Sequence, residues 1–236
     1  MRTTLRALSA LLAYPSSELL AHVGEIRTAL AAEGALDRKA RAALEPLLST
    51  LETQDLLAAQ AAYSELFDRS RSLSLHIFEH VHGDSRERGQ AMIDLGEHYA
   101  SHGSLMSSTE LPDFIPVFLE FASCLPPREA RAFLAEPLHV FVALAERLES
   151  RATPYAAVLR AVVGLAAGKV DADALAGLEE SAASDDAADI DAEWEEAPVT
   201  FSTPHEMGGP TGIVAKIRSG RRPPSTAARG HEGERS

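Results

Sequence analysis

The chain has 236 residues, a formal net charge of −13 and only 6% aromatic residues, a length that suits one compact domain or a domain with a tail. Ala and Leu dominate and β-branched residues are scattered, so the composition favours an all-α protein over a sheet. No apolar run approaches the roughly 20 residues needed to span a bilayer. Cys124 is the single cysteine, which excludes an intramolecular disulfide and argues against a Cys-based zinc site, with the cytoplasm as default compartment.

Charge is spread unevenly along the chain. Residues 1–170 carry 16 Lys/Arg and 21 Asp/Glu, residues 171–210 carry 12 acids and no Lys/Arg, and residues 211–236 carry 6 basic and 2 acidic side chains. The first 170 residues show no basic face, which argues against nucleic acid as a partner. An acidic body attracts basic segments of other proteins, although solubility alone explains it equally well.

In MRTTLRALSALLAYP, Leu5, Leu8, Leu11 and Leu12 fall at helical spacing, and no small-residue cleavage site follows. The stretch therefore reads as a first helix rather than a secretory signal. Tyr14-Pro15-Ser16-Ser17 ends it and caps a second helix, with Leu19, Leu20, Val23, Ile26 and Leu30 before Gly34. Asp37 caps a third, with Leu44, Leu47, Leu48 and Leu51. Thr53 is the expected cap of a fourth, with Leu56, Leu57, Tyr63, Leu66 and Phe67 facing the core. The run Leu73 to Phe78 alternates like a strand but has no evident partner, so it is expected as an extended or short helical connection.

Asp84-Ser85-Arg86-Glu87 has the form of a capping box, opening a helix to about Ser101 that stops at Gly103, with Ala91, Met92, Leu95 and Tyr99 inward. The second half repeats one device, proline in the first turn. Pro112 is expected to open a helix with Phe114, Val117, Phe118, Phe121 and Leu125, and Pro127 one with Phe133 and Leu134. Pro137 opens one with Leu138, Phe141, Val142, Leu144 and Leu148. Thr153-Pro154 begins the last, with Tyr155, Val158, Leu159, Val162 and Leu165 before Gly168. Short connections between amphipathic helices imply a single-domain helical bundle over 1–180. Residues 181–236, acidic then basic, carry few apolar side chains and are expected to be a disordered tail. The segment WEEAPVTF at 194–201 is the exception, with the only Trp, and reads either as a docking element or as a chance island.

Two segments hold more chemistry than a bundle needs. Leu75 to Leu95 contains His76, His80 and His82 among acids and arginines; His76/His80 and His98/His102 are each one helical turn apart. Such spacing suits zinc ligands, but HExxH is absent, and surface or helix-end hydrogen bonds explain histidine clusters more often. Ser85 beside Asp84 and His82 lacks a GxSxG elbow and is better explained as part of a helix start. No Walker loop or dinucleotide fingerprint is present; the glycines at 208, 209 and 212 lie in the tail. Arg86 and Arg88 can meet a phosphate or carboxylate, or pair with neighbouring acids. In ELPDFIPVFLEF at 110–121, Glu110 and Asp113 place two carboxylates at a helix start; with Glu79 and Asp84 they are expected to line an acidic groove for a basic amphipathic helix.

HIFEHVHGDSRERGQAMIDL at 76–95 and ELPDFIPVFLEF at 110–121, together with Tyr63-Ser64-Glu65-Leu66-Phe67, closely resemble the NarJ-type nitrate reductase assembly chaperones of the broader TorD-like family. The resemblance covers about residues 3–170, and WEEAPVTF resembles the family's C-terminal element. It implies an all-helical maturation protein, not an enzyme, binding the N-terminal segment of the apo catalytic (alpha) subunit of a respiratory nitrate reductase. It further implies that the client is kept competent for insertion of bis-molybdopterin guanine dinucleotide before membrane docking, with no cofactor held stably and no metal bound by the chaperone. Proteins of molybdenum cofactor biosynthesis are further expected partners; nucleic acid and direct membrane insertion are not. By motif position the client-facing residues are His76, Glu79, His80, His82, Asp84, Arg86, Arg88, Gln90, Glu110, Pro112 and Asp113. The alternatives are a TorD-like chaperone for another molybdoenzyme, such as a sulfoxide or N-oxide reductase, and a His-ligated metal-dependent hydrolase.

Overall fold

The computed structural model describes residues 1–83, 85–104 and 110–178. The expectations for Asp84, for the tail and for the docking segment at 194–201 lie outside the described residues. Eleven α-helices are described in full: α1 Arg2–Leu12, α2 Ser17–Ala21, α3 Val23–Glu33, α4 Arg38–Thr53, α5 Leu56–Phe67, α6 Ile77–His82, α7 Glu87–Ser101, α8 Ile115–Cys124, α9 Pro127–Ala135, α10 Leu138–Ser150 and α11 Ala156–Leu165. A 3-10 turn, Arg71–Leu73, precedes α6, and residues 172–178 are helical. The all-α expectation holds: the described residues contain no strand, only an isolated bridge between His76 and Phe114.

The apolar stripe of α1 sets the centre of the bundle. Leu5, Leu8, Leu11 and Leu12 are all fully buried, and α1 makes its broadest contact with α8. Each such leucine removed from water contributes about 1.5–3 kcal/mol. The helix is also pinned at three points. Glu33 at the end of α3 accepts from the backbone nitrogens of Thr3 and Thr4, from Thr4 Oγ1 and from the Met1 ammonium. Burial raises the Glu33 carboxyl, but these donors outweigh it and hold it down at about 2. Ser9 Oγ donates to Pro116 O at 2.7 Å, and Tyr63 OH donates to Leu12 O at 2.8 Å. On the other side α10 packs on α11, and α11 reaches α1 and α4.

Local signals placed most helix ends. Ser16 accepts from Leu19 N and Asp37 from Ala40 N, as their side chains suggest, and Gly34 ends α3 at φ +64°. Several expectations need correction. The second helix breaks at His22, whose backbone leaves the helical region, into α2 and α3. Thr53 ends α4 instead of capping α5; Asp55 caps α5 by accepting from Ala58 N, the stronger of two acceptors two residues apart. This rotation leaves Leu57 77% exposed and turns Ala59, Tyr63 and Phe67 inward.

α7 starts at Glu87 with Arg86 as N-cap, after a turn in which Ser85 N donates to His82 O and Arg88 N to Ser85 O. Finally, Pro116 rather than Pro112 is the first-turn proline of α8. Asp113 and Ile115 are engaged elsewhere, so the helix cannot start earlier.

Candidate functional site

The segment from Leu73 to Phe78 is where sequence pattern and fold meet. Leu73, Ser74, Leu75 and Ile77 are buried, while His76 and Phe78 are half-buried. The strand-like run does have a partner: Ile115 N donates to Leu75 O at 2.8 Å and Ile77 N to Asp113 O at 3.1 Å. These two bonds form the antiparallel bridge of His76 with Phe114, whose rings lie 5.2 Å apart. The two chemically dense segments, 37 residues apart at His76 and Asp113, are thus joined main chain to main chain.

Asp113 completes the junction. It is fully buried, with Oδ2 accepting from Phe78 N at 3.0 Å and Oδ1 3.2 Å from His76 Nδ1. The first turn of α6 has no cap from its own chain neighbour, so Asp113 satisfies one of its orphan N–H groups from across the bridge. The hydrogen bond to Asp113 is the main cause of a raised His76 pKa, against a smaller opposing effect of burial. Tyr99, 1% exposed, donates its OH to Pro112 O at 2.8 Å and so ties α7 to the same junction.

The next side chains link α6 to its neighbours. His80 Nε2 lies 2.8 Å from Ser74 O; a carbonyl only accepts, so Nε2 carries the hydrogen. Burial lowers the His80 pKa, the Ser74 bond opposes this, and the Arg147 guanidinium lowers it further. Glu79 and Arg88 form an ion pair of 3.0 Å, both about three-quarters covered, that bridges α6 and α7. Burial pushes the Glu79 carboxyl up, but the Ser74 hydroxyl and Arg88 bring it below its ordinary value.

Apart from Pro112, whose carbonyl accepts from Tyr99, the rest of the set lies outside this linked group. His82 sits 4.0 Å from Glu87, with its ring 5.5 Å from Phe78. Arg86 and Glu110 are exposed, Pro112 is half-buried, and Gln90 Nε2 donates to Asp94 in its own helix. The expected acidic groove is therefore not built as read: Asp113 is sealed inside and Glu79 is neutralised by Arg88. What faces solvent on these elements is mixed: Val81 at 45%, Ile93 at 56% and Leu111 at 44% exposure are apolar. Among the described residues no three of His, Cys, Asp and Glu converge as a metal-holding group. No described helix is long and apolar enough to cross a membrane.

One contact that orders this region has little trace in the sequence. Arg147 of α10 donates to Ser72 O at 2.9 Å and Leu178 O at 2.6 Å, holding the turn before α6 against the end of the described chain. Its only trace in sequence is a cation within the largely apolar LHVFVALAERL.

Three comparisons place this arrangement among known proteins. A family model described as nitrate reductase delta subunit matches residues 33–161. The nitrate reductase molybdenum cofactor assembly chaperone NarJ of Escherichia coli K12 is 43% identical over 194 residues, covering 82% of each chain. A probable chaperone of the same description from Bacillus subtilis is 31% identical, covering 68% of this chain and 86% of its own length. A crystal structure of a putative redox enzyme maturation protein from Archaeoglobus fulgidus superposes with a TM-score of 0.52 at 25% identity, over 70% of this chain and 92% of that one. Both dense segments fall within the matched span, and the chain belongs to the nitrate reductase delta subunit family, whose relatives are named as assembly chaperones rather than catalysts.

Proposed function

We propose that this chain is a cytoplasmic chaperone for the apo catalytic subunit of a respiratory nitrate reductase. It binds the N-terminal segment of that subunit and keeps it competent for insertion of bis-molybdopterin guanine dinucleotide before membrane docking. The carrying observation is the 43% identity to the Escherichia coli chaperone over 82% of both chains. The site is compatible with it: apolar side chains on α6, α7 and the turn before α8 stand beside adjustable polar groups, which suits a peptide held and then released. His82, Arg86, Gln90 and Glu110 reach solvent and contact the client. Asp113, His80 and Pro112 act behind them by fixing α6 and its bridge. Proteins of cofactor biosynthesis are further partners.

Titration of the full chain with the N-terminal peptide of the apo catalytic subunit tests this reading. The expected result is saturable micromolar binding, weakened by substitutions at Ile93 and Arg86. Absence of binding at micromolar concentrations would sink the assignment. Preference for the N-terminal peptide of a sulfoxide or N-oxide reductase would redirect it to another molybdoenzyme.

A further inference from the structure

Of the nine histidines in the chain, the two pairs one helical turn apart end in different chemical states. His76 faces Asp113 and His80 is bonded to Ser74 O, so the fold itself uses the first pair. His98 and His102 close the last turn of α7, both exposed, with ring centroids 4.6 Å apart. His102 Nδ1 lies 3.0 Å from His98 O and 3.1 Å from Ser101 Oγ, while Ser101 Oγ donates to the same carbonyl at 2.7 Å. A carbonyl accepts only, so Nδ1 carries the hydrogen and the neutral ring keeps its lone pair on Nε2. Among the described residues neither ring nitrogen of His98 has a hydrogen-bond partner. Aromatic neighbours hold both rings: His98 stacks on Phe133 at 5.6 Å and 11°, and both histidines meet Phe121 edge-on at 5.5 and 5.6 Å.

We propose that His98 and His102 form an open two-imidazole chelate for a divalent transition ion of the zinc and nickel class, with water in the remaining positions. Imidazole is a preferred ligand for these ions, and one helical turn brings two of them to the same side. The bond from His102 Nδ1 to a main-chain carbonyl is the outer contact that fixes tautomer and ring orientation in metal-binding histidines. The pair also sits at the C-terminal end of a 15-residue helix, where the partial negative charge favours a cation. With no third protein ligand among the described residues, the ion exchanges readily, unlike one in a closed structural zinc site. An ion held there clamps the last turn of α7 around Tyr99, the residue that ties the helix to Pro112.

The test is calorimetric titration of untagged full-length protein with Zn2+, paired with thermal unfolding with and without the ion. One zinc per chain at micromolar affinity is expected, with a Tm increase by mass action. His98→Phe and His102→Phe keep an aromatic ring against Phe121 while deleting a ligand; each is expected to lose both signals. Ser101→Ala, which removes an outer contact, is expected to weaken binding about tenfold. A double His205→Phe, His231→Phe variant is expected to bind as the parent does. Circular dichroism checks that each variant folds, and either ligand variant alone suffices to decide. Absence of zinc binding in the parent, or unchanged binding in a folded His→Phe variant, overturns the proposal.

Discussion

α10 and α7 are of similar length and opposite construction. Eight of the 13 residues of α10 are buried, whereas in α7, with 15 residues, Tyr99 alone is. The first is held by area removed from water, the second by a few directed contacts: Tyr99 to Pro112, Arg88 to Glu79, and rings against Phe121 and Phe133. Under the proposed function, stability and recognition fall in separate regions. The less covered elements are those that open at low cost and can adapt to a partner.

The largest blow to this contrast falls on the core side. Leu8→Ala is expected to cost about 2–5 kcal/mol in denaturant unfolding, because a fully buried side chain leaves a cavity in the centre of the bundle. Client affinity per folded molecule is expected to stay unchanged. Asp113→Ala comes next, at about 1–3 kcal/mol, since Phe78 N and the His76 ring lose their acceptor inside the protein. Hydrogen exchange is expected to accelerate mainly at residues 74–82; uniform acceleration would show that the junction belongs to the global core.

Acidity sharpens the comparison at smaller amplitude. The folded His76 pKa is raised, so its pairing with Asp113 stabilises fully below 6.5 and is lost as pH rises through the folded value. The folded His80 pKa is lowered, so its contribution is present above 6.5 and is lost as pH falls through its own folded value. Protection of residues 74–82 is expected to peak near 6.5 and fall on both sides, whereas α10, where burial lowers the pKa of His139, loses protection only as pH falls. Imidazole NMR titration is expected to show His76 above and His80 below that value; the reverse order would refute the assignment. Smallest of all, Ile93→Ser is expected to shift stability by no more than about 0.5 kcal/mol, since the side chain is 56% exposed. Its expected effect is on peptide binding, read in the same titration.

The legible parts of the sequence were the local ones. Ser16, Asp37 and Gly34 act within four residues of themselves, so their roles follow from residue type and backbone geometry. Asp55, a stronger acceptor than Thr53, caps α5, and the bridge sets the start of α8 so that Pro116 rather than Pro112 lies in its first turn. The density of polar residues between 75 and 95 pointed to the right region, but the use of each residue was not legible. Asp113 read as a groove carboxylate and proved to be a buried acceptor, because its partners Phe78 and His76 lie 35 and 37 positions away.

By itself the sequence determined an all-helical bundle, its leucine-lined core and the two segments that carry the family resemblance. These follow from periodicity and capping, which act over one or two turns. Only the tertiary structure decided which polar groups the fold consumes and which it leaves for a partner. That division depends on single long-range bonds, such as Asp113 to Phe78 and Arg147 to Ser72, which no repeating pattern announces.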